Sequence, residues 1–223
     1  KKGSIVGIFP GTKVEPIIEQ LLKIPRRLRA KVREITLYMA NSMKTIALRC
    51  FPQAIQVTDR FHVQKLAIEA LQDIRIKYRW EAIDLENNQI KEAKSKGKRF
   101  IAEEFSNGDS RKLLLARSRY LLYKSPINWT DNQKFRAKIL FEEYPHIKKA
   151  FDLVQGLRSI FNTSKSMNIA YTKLAHWYKD VELAGFKSFN TIVNTISVNY
   201  KSILNYFINR STNASADREA ATK

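Results

Sequence analysis

The sequence predicts an α/β fold whose first 62 residues carry about three short strands with helices, followed by a mostly α-helical region over 63–210 and a polar tail over 211–223. Three observations predict this. Short apolar runs bounded by turn residues recur up to Asp59, as strands require. Beyond Phe61 the apolar residues return at i, i+3, i+4 and i+7, the period of a helix face. The final stretch STNASADREAATK is small and polar, with nothing to bury.

Each element has its own local cause. Ser4–Phe9 is an apolar run closed by the turn pair Pro10-Gly11 and reads as the first strand. Thr12 is placed to cap a helix with Val14, Ile17, Ile18, Leu21 and Leu22 inward, stopped by Pro25. A basic patch from Arg26 to Lys31 leads into the strand Glu34–Tyr38. Asn41 or Ser42 caps the next helix, Pro52 ends it, and Ile55–Asp59 reads as another strand. Two strands joined by a helical crossover of this length should be parallel, so their carboxyl ends, Tyr38 and Asp59, should share one edge of the sheet. Open α/β sheets place their sites at that edge.

In the helical region Val63, Leu66, Ala67, Ala70, Leu71 and Ile74 form an apolar stripe, with Arg75, Lys77 and Arg79 on the opposite face. Lys91–Arg99 reads as a loop or a frayed helix end. Asp109 or Ser110 opens a helix through Leu113, Leu114, Arg117, Tyr120 and Leu121. Thr130 and Gln133 have the spacing of a capping box, Pro145 suits a helix start, and Gly185 closes a helix containing Leu174, Trp177 and Val181. A last long helix runs from Phe189 to Phe207, and no repeat of fixed period is present.

Composition bounds the function. Lys and Arg total 40 against 21 Asp and Glu, a formal net charge of +19, which favours a polyanionic partner. Residues 91–124 hold ten Lys or Arg against four Asp or Glu. No apolar run reaches the length of a membrane span. The single cysteine, Cys50, excludes an internal disulfide and a Cys-rich zinc site, and points to a reducing compartment. The chain opens on Lys-Lys-Gly rather than Met, and the expectation is a fragment, truncated at both ends.

The densest chemical cluster is Val57-Thr58-Asp59-Arg60-Phe61-His62-Val63. Asp59 at a strand end either holds a hard cation or positions a base, or else caps the helix beneath which His62 packs. His146 and His176 have no carboxylate or thiol at ligand spacing and read as structural or exposed. The basic groups Arg75, Lys77, Arg79, Arg111, Lys112, Arg117 and Arg119 are candidates for tracking DNA phosphates, or are simply solvated faces. Phe100, Tyr120, Tyr123 and Trp129 beside them read as core rather than as stacking platforms.

The run Glu34–Leu71, and within it Pro52-Gln53-Ala54, Val57-Thr58-Asp59-Arg60-Phe61-His62-Val63 and the Ala70-Leu71 to Arg75 helix, resembles bacterial insertion-sequence transposases of the IS-L-three type. Ser118–Leu122 and Arg210–Ala214 extend the likeness to about residue 216. The resemblance implies a DDE catalytic domain on an RNase H-like fold, here a partial core with a helical insertion. It also implies metal-dependent DNA strand cleavage and transfer in DNA transposition, with three carboxylates holding Mg2+ or Mn2+ in intact relatives. The first acid is expected upstream of Lys1. The position of the second is occupied by Tyr38, and the third matches Asp217 only weakly, because the basic helix expected after it is replaced by Arg218–Lys223. Asp59 and His62 match the family as residues beside the metal centre.

The expectation is therefore a catalytically inactive chain that binds no metal of its own and retains DNA binding, in the bacterial cytoplasm and associated with the nucleoid. Its partners would be DNA and an intact transposase, with no membrane. The rival readings are a basic DNA- or partner-binding module that interferes with an intact transposase, and a decayed reading frame without function.

Overall fold

A computed structural model describes residues 7–212 of the chain. They fall into two compact units, each assembled from separated stretches: unit 1 holds residues up to Lys65 with Ile160–Ala175 and the stretch from Val193, and unit 2 holds Leu66–Ser159 with His176–Ile192.

Unit 1 begins with α1 (Val14–Leu22) and the single turn α2 (Arg26–Arg29), followed by β1 (Glu34–Leu37), α3 (Asn41–Cys50) and β2 (Ile55–Thr58). The apolar face of α1 meets that of α3, burying Ile18, Ile46 and Cys50 with Val14, Ile17, Leu21 and Met43 packed around them. Arg29 fastens this layer from outside: its guanidinium donates to the carbonyls of Ile24 (3.0 Å) and Cys50 (2.5 Å). The caps differ from the sequence reading. Lys13 and Ala40 occupy the N-cap positions of α1 and α3, and neither Thr12, Asn41 nor Ser42 caps through its side chain.

β1 and β2 are parallel, as the crossover requires, in the register Glu34↔Ile55 through Leu37↔Thr58. Among the described residues the sheet has these two strands. The third predicted strand, Ser4–Phe9, lies partly outside the described residues, and its described part, Gly7–Phe9, is irregular.

The last helix, α11 (Tyr200–Asn209), lies against β2. Its polar face is fitted to the strands at successive turns. Ser202 Oγ is 2.8 Å from Thr58 Oγ1, Asn205 Nδ2 donates to the Gln56 carbonyl (2.9 Å), and Asn209 Nδ2 donates to Glu34 Oε2 (2.8 Å). Its apolar face buries Ile203, Leu204, Tyr206 and Phe207, with the Phe207 ring stacked on Phe161 at 5.5 Å. Replacing Asn205 by Ala removes the donor to Gln56, and the expected cost is about 1 kcal/mol. It would appear as a lower urea midpoint at unchanged slope.

Unit 2 is helical. α4 (Arg60–Ser95) starts in unit 1 and supplies unit 2 from Leu66 onward. Lys91–Ser95, expected as a loop or frayed end, belongs to this helix, because Lys, Glu and Ala are good helix formers and no breaker precedes Gly97. There follow α5 (Arg111–Arg117), α6 (Arg119–Tyr123), a 3-10 turn at Pro126–Asn128, α7 (Asp131–Glu143), α8 (Pro145–Thr163), α9 (Met167–Ala184) and α10 (Lys187–Val198), of which α8, α9 and α10 are each shared, residues 160–163, 167–175 and 193–198 belonging to unit 1.

Thr130 and Gln133 form the full reciprocal capping box of α7, and α8 begins on Pro145. Gly185, at φ +73°, follows the end of α9 in the left-handed conformation that glycine adopts at little cost. The helix expected from Phe189 to Phe207 is two helices, parted at Asn199 (φ −107°, ψ 11°). Its side-chain amide donates to the Thr195 carbonyl (2.9 Å), which also accepts the Asn199 backbone N–H (3.2 Å). Among the described residues no helix is long and apolar enough to cross a membrane.

A candidate active-site edge and a basic face

The carboxyl edge of the sheet in unit 1 carries the residues that the sequence singles out. The Asp59 N–H donates to the Leu37 carbonyl (3.1 Å), so the parallel pairing continues one residue past each strand and sets Tyr38 beside Asp59. Asp59 is 2% exposed and Tyr38 38%. Asp59 Oδ1 accepts the Phe61 N–H (2.8 Å) at the first turn of α4, which satisfies an orphan helix donor. The same residue's carbonyl accepts the His62 N–H (3.1 Å). The His62 ring meets Tyr38 edge to face, with centroids 3.9 Å apart at 65°. Its Nε2 is buried without a hydrogen-bond partner among the described residues.

A recess of about 10 Å³ opens at this edge, with room for no more than one water. Tyr38, Asn41, Lys44, Thr58, Asn199 and Ser202 are among its lining residues. Lys44, Asn199 and Ser202 were not indicated by the sequence motif. They arrive from α3, from the break before α11 and from α11 itself, and nothing local in the sequence links them. Among the described residues no three His, Cys, Asp or Glu side chains converge to hold a metal ion. Asp217 lies outside the described residues.

The seven basic candidates all lie in unit 2, but they are not alike. Arg111 pairs with Glu143 (3.0 Å), Lys112 pairs with Glu86, and Arg117 pairs with Asp109 (2.5 Å). Lys77, Arg79 and Arg119 are exposed and have no carboxylate at ion-pair distance among the described residues. Arg75, expected on the polar face of its helix, is instead 5% exposed. Its Nε donates to Gln72 Oε1 (2.7 Å) and its Nη1 to the Leu115 carbonyl (2.9 Å), tying α4 to α5. Burial, with the charges of Arg79 and Arg119, lowers its pKa from the usual arginine value.

The aromatics divide as well. Tyr120 and Tyr123 are exposed, against the expectation of core positions, and the Arg119 guanidinium sits 5.4 Å from the Tyr120 ring. Trp129 and Phe151 stack at 5.4 Å and serve the core as expected. His146 is exposed and hydrogen-bonds the Tyr78 hydroxyl (2.7 Å), while His176 lies at the surface of α9.

The family model for transposases of the IS-L-three type matches residues 1–217 of the 223. The chain belongs to the IS-L-three transposase family. No curated protein and no solved structure gives a significant match. Membership gives the chain a transposition-related function, and the family implies DNA as a partner. The match runs through both strands and both units, so the sheet edge and the basic face belong to the family region.

Proposed function

We propose that this IS-L-three family member binds DNA and performs no strand cleavage or joining at its sheet edge. The observation that carries the reading is Tyr38, which stands at the end of β1 beside Asp59, where the family resemblance expects a catalytic carboxylate. Strand transfer in the family draws on divalent cations, Mg2+ or Mn2+, which activate a nucleophile and steady the leaving oxygen. Such ions need hard oxygen donors, chiefly carboxylates. At this edge the described carboxylate already caps a helix, and beside it stand a phenol packed on an imidazole and neutral hydroxyl and amide groups. This set does not fit a two-metal centre.

The parallel β1–β2 pair, with α11 laid against β2, supports reading unit 1 as part of an RNase H-like core. Asp59 then has a positioning role, because its carboxylate fixes the first turn of α4 and with it the His62 ring. DNA binding rests on the net charge of +19 and on the exposed cations of unit 2, Lys77, Arg79 and Arg119. Affinity from phosphate contacts is sequence-independent and falls steeply with salt.

Two assays on the purified chain test the reading. Supercoiled plasmid incubated with the protein and Mg2+ or Mn2+ is expected to stay supercoiled, while a duplex is retarded in a gel at low salt and released as salt rises. Nicking that disappears in Asp59→Ala would overturn the catalytic part. Absence of any retardation at low salt would overturn the DNA-binding part.

A further inference from the structure

Arg75 is the most deeply buried of the basic candidates and has no counter-charge among the described residues. Several cations of unit 2 are matched: Arg111 by Glu143, Lys112 by Glu86, and both Arg117 and Arg136 by Asp109, while the half-buried Arg158 is held by the Gln155 side chain (3.1 Å) and the Tyr123 carbonyl (2.9 Å). Arg75 is more buried than any of these, yet it is held only by neutral acceptors, the Gln72 amide oxygen and the Leu115 carbonyl. Arg79, one helical turn further along α4, and Arg119, at the start of α6, are the charges that act on it. Among the described residues none of the three has a carboxylate at ion-pair distance. A buried guanidinium flanked by like charges is costly unless an anion completes it.

The Arg75 guanidinium is held in place before any ligand arrives. Gln72 accepts from Arg75 Nε and donates through Nε2 to the Arg119 backbone carbonyl (3.3 Å), so one side chain fixes the Arg75 guanidinium and ties it to the backbone at Arg119. Two of the five N–H donors of Arg75 go to Gln72 and Leu115, which leaves the remainder of its planar fork available.

We infer that Arg75, Arg79 and Arg119 form one anion site whose ligand is a backbone phosphate of nucleic acid. This rests on the DNA-binding reading above and narrows it: the phosphate is taken by this trio and not by Arg111, Lys112 or Arg117, whose charges are already matched. Arg75 supplies a fixed, dehydrated guanidinium, and the two exposed arginines close on the phosphate oxygens from solvent. Arginine suits the task because its fork meets phosphate with two parallel hydrogen bonds.

The test uses the full chain with 15N-labelled arginine. The Arg75 Nε–H resonance is followed during titration with inorganic phosphate and, separately, with a short DNA duplex. Salt dependence of duplex binding is measured in parallel for the wild type, the double variant Arg79→Gln/Arg119→Gln, and Arg111→Gln. The expected result is a shift of the Arg75 resonance with duplex. The double variant should show a log–log salt slope smaller by about one, since the site takes one phosphate and each lost phosphate contact removes about one. Arg111→Gln should keep the wild-type slope. A duplex that binds while the Arg75 signal stays still and the double variant keeps its slope overturns the anion site and leaves DNA binding intact. A chain that ignores duplex but shifts Arg75 with inorganic phosphate overturns the DNA reading and upholds the anion site. No shift with either ligand sinks the site.

Discussion

Asp109→Ala is expected to lower the stability of unit 2 by about 3 kcal/mol, the lower end of what breaking a buried ion pair costs. Asp109 is fully buried and accepts from Arg117 (2.5 Å), Arg136 Nε (2.8 Å) and the Asn107 side-chain amide (2.8 Å). Its own carbonyl accepts the Phe105 N–H (2.9 Å), which closes the turn at Gly108 ahead of α5. The variant strands Arg136, whose side chain is only 22% exposed, while Arg117, at 53%, can turn to water, and that escape keeps the cost from the top of the range.

The pH dependence has a definite sign. Burial pushes the Asp109 carboxyl up, but the hydrogen bonds and charges of Arg136 and Arg117 outweigh it and hold its pKa below the ordinary value. A depressed folded-state pKa means that the stabilisation is complete above the unfolded value of about 4 and fades as pH falls from there toward the folded value. Thermal melts between pH 7 and pH 3 should therefore show wild type losing more of its midpoint than Asp109→Ala in the acid limb. A variant as stable as wild type at pH 7 would show that the two arginines need no counter-charge.

Phe161→Ala should cost unit 1 about 3–5 kcal/mol, the range for emptying a buried aromatic site. The ring is fully buried, stacked on Phe207 and meeting Tyr206 edge to face at 5.6 Å, and Arg60 lies 5.8 Å from the Tyr206 ring. Because Phe207 and Tyr206 belong to α11, the cavity loosens the helix that is hydrogen-bonded to β2 through Ser202, Asn205 and Asn209. Denaturant titration gives the size of the loss. Hydrogen exchange on α11 should quicken with it, and an unchanged α11 would argue that the helix is held by its polar face alone.

Much of unit 1 was legible because its signals are local. The strands at Glu34 and Ile55, their parallel pairing and the meeting of Tyr38 with Asp59 follow from two apolar runs and one crossover. In unit 2 the capping box at Thr130, Pro145 and Gly185 each act within one helical turn and read correctly. What failed depends on contacts distant in sequence. Asn199 looks like one more polar position on a continuous apolar period from Phe189 to Phe207, and only the separate packing of α11 makes it a break. Arg75 sits at the spacing of a polar face, yet Leu115 and Gln72 draw it inside. Of the two helix openers offered, Ser110 takes the N-cap position of α5, while Asp109 is drawn by two arginines from α5 and α7 into the centre of a buried cluster. The ring contact of His62 with Tyr38 needs the sheet and the helix together, so adjacency in the motif did not reveal it.

Asn205 also sets the direction in which the sheet can be enlarged. Successive peptide groups of a strand point to opposite sides, and those of Gln56 and Thr58 point away from β1. There the Gln56 carbonyl has its donor and α11 lies across the approach. Any additional strand, from this polypeptide or another, has to join along the outer flank of β1, at Glu34 and Thr36. A newcomer on that flank would run alongside the stretch leading to Tyr38, so recruitment of chain and remodelling of the phenol's surroundings become one event.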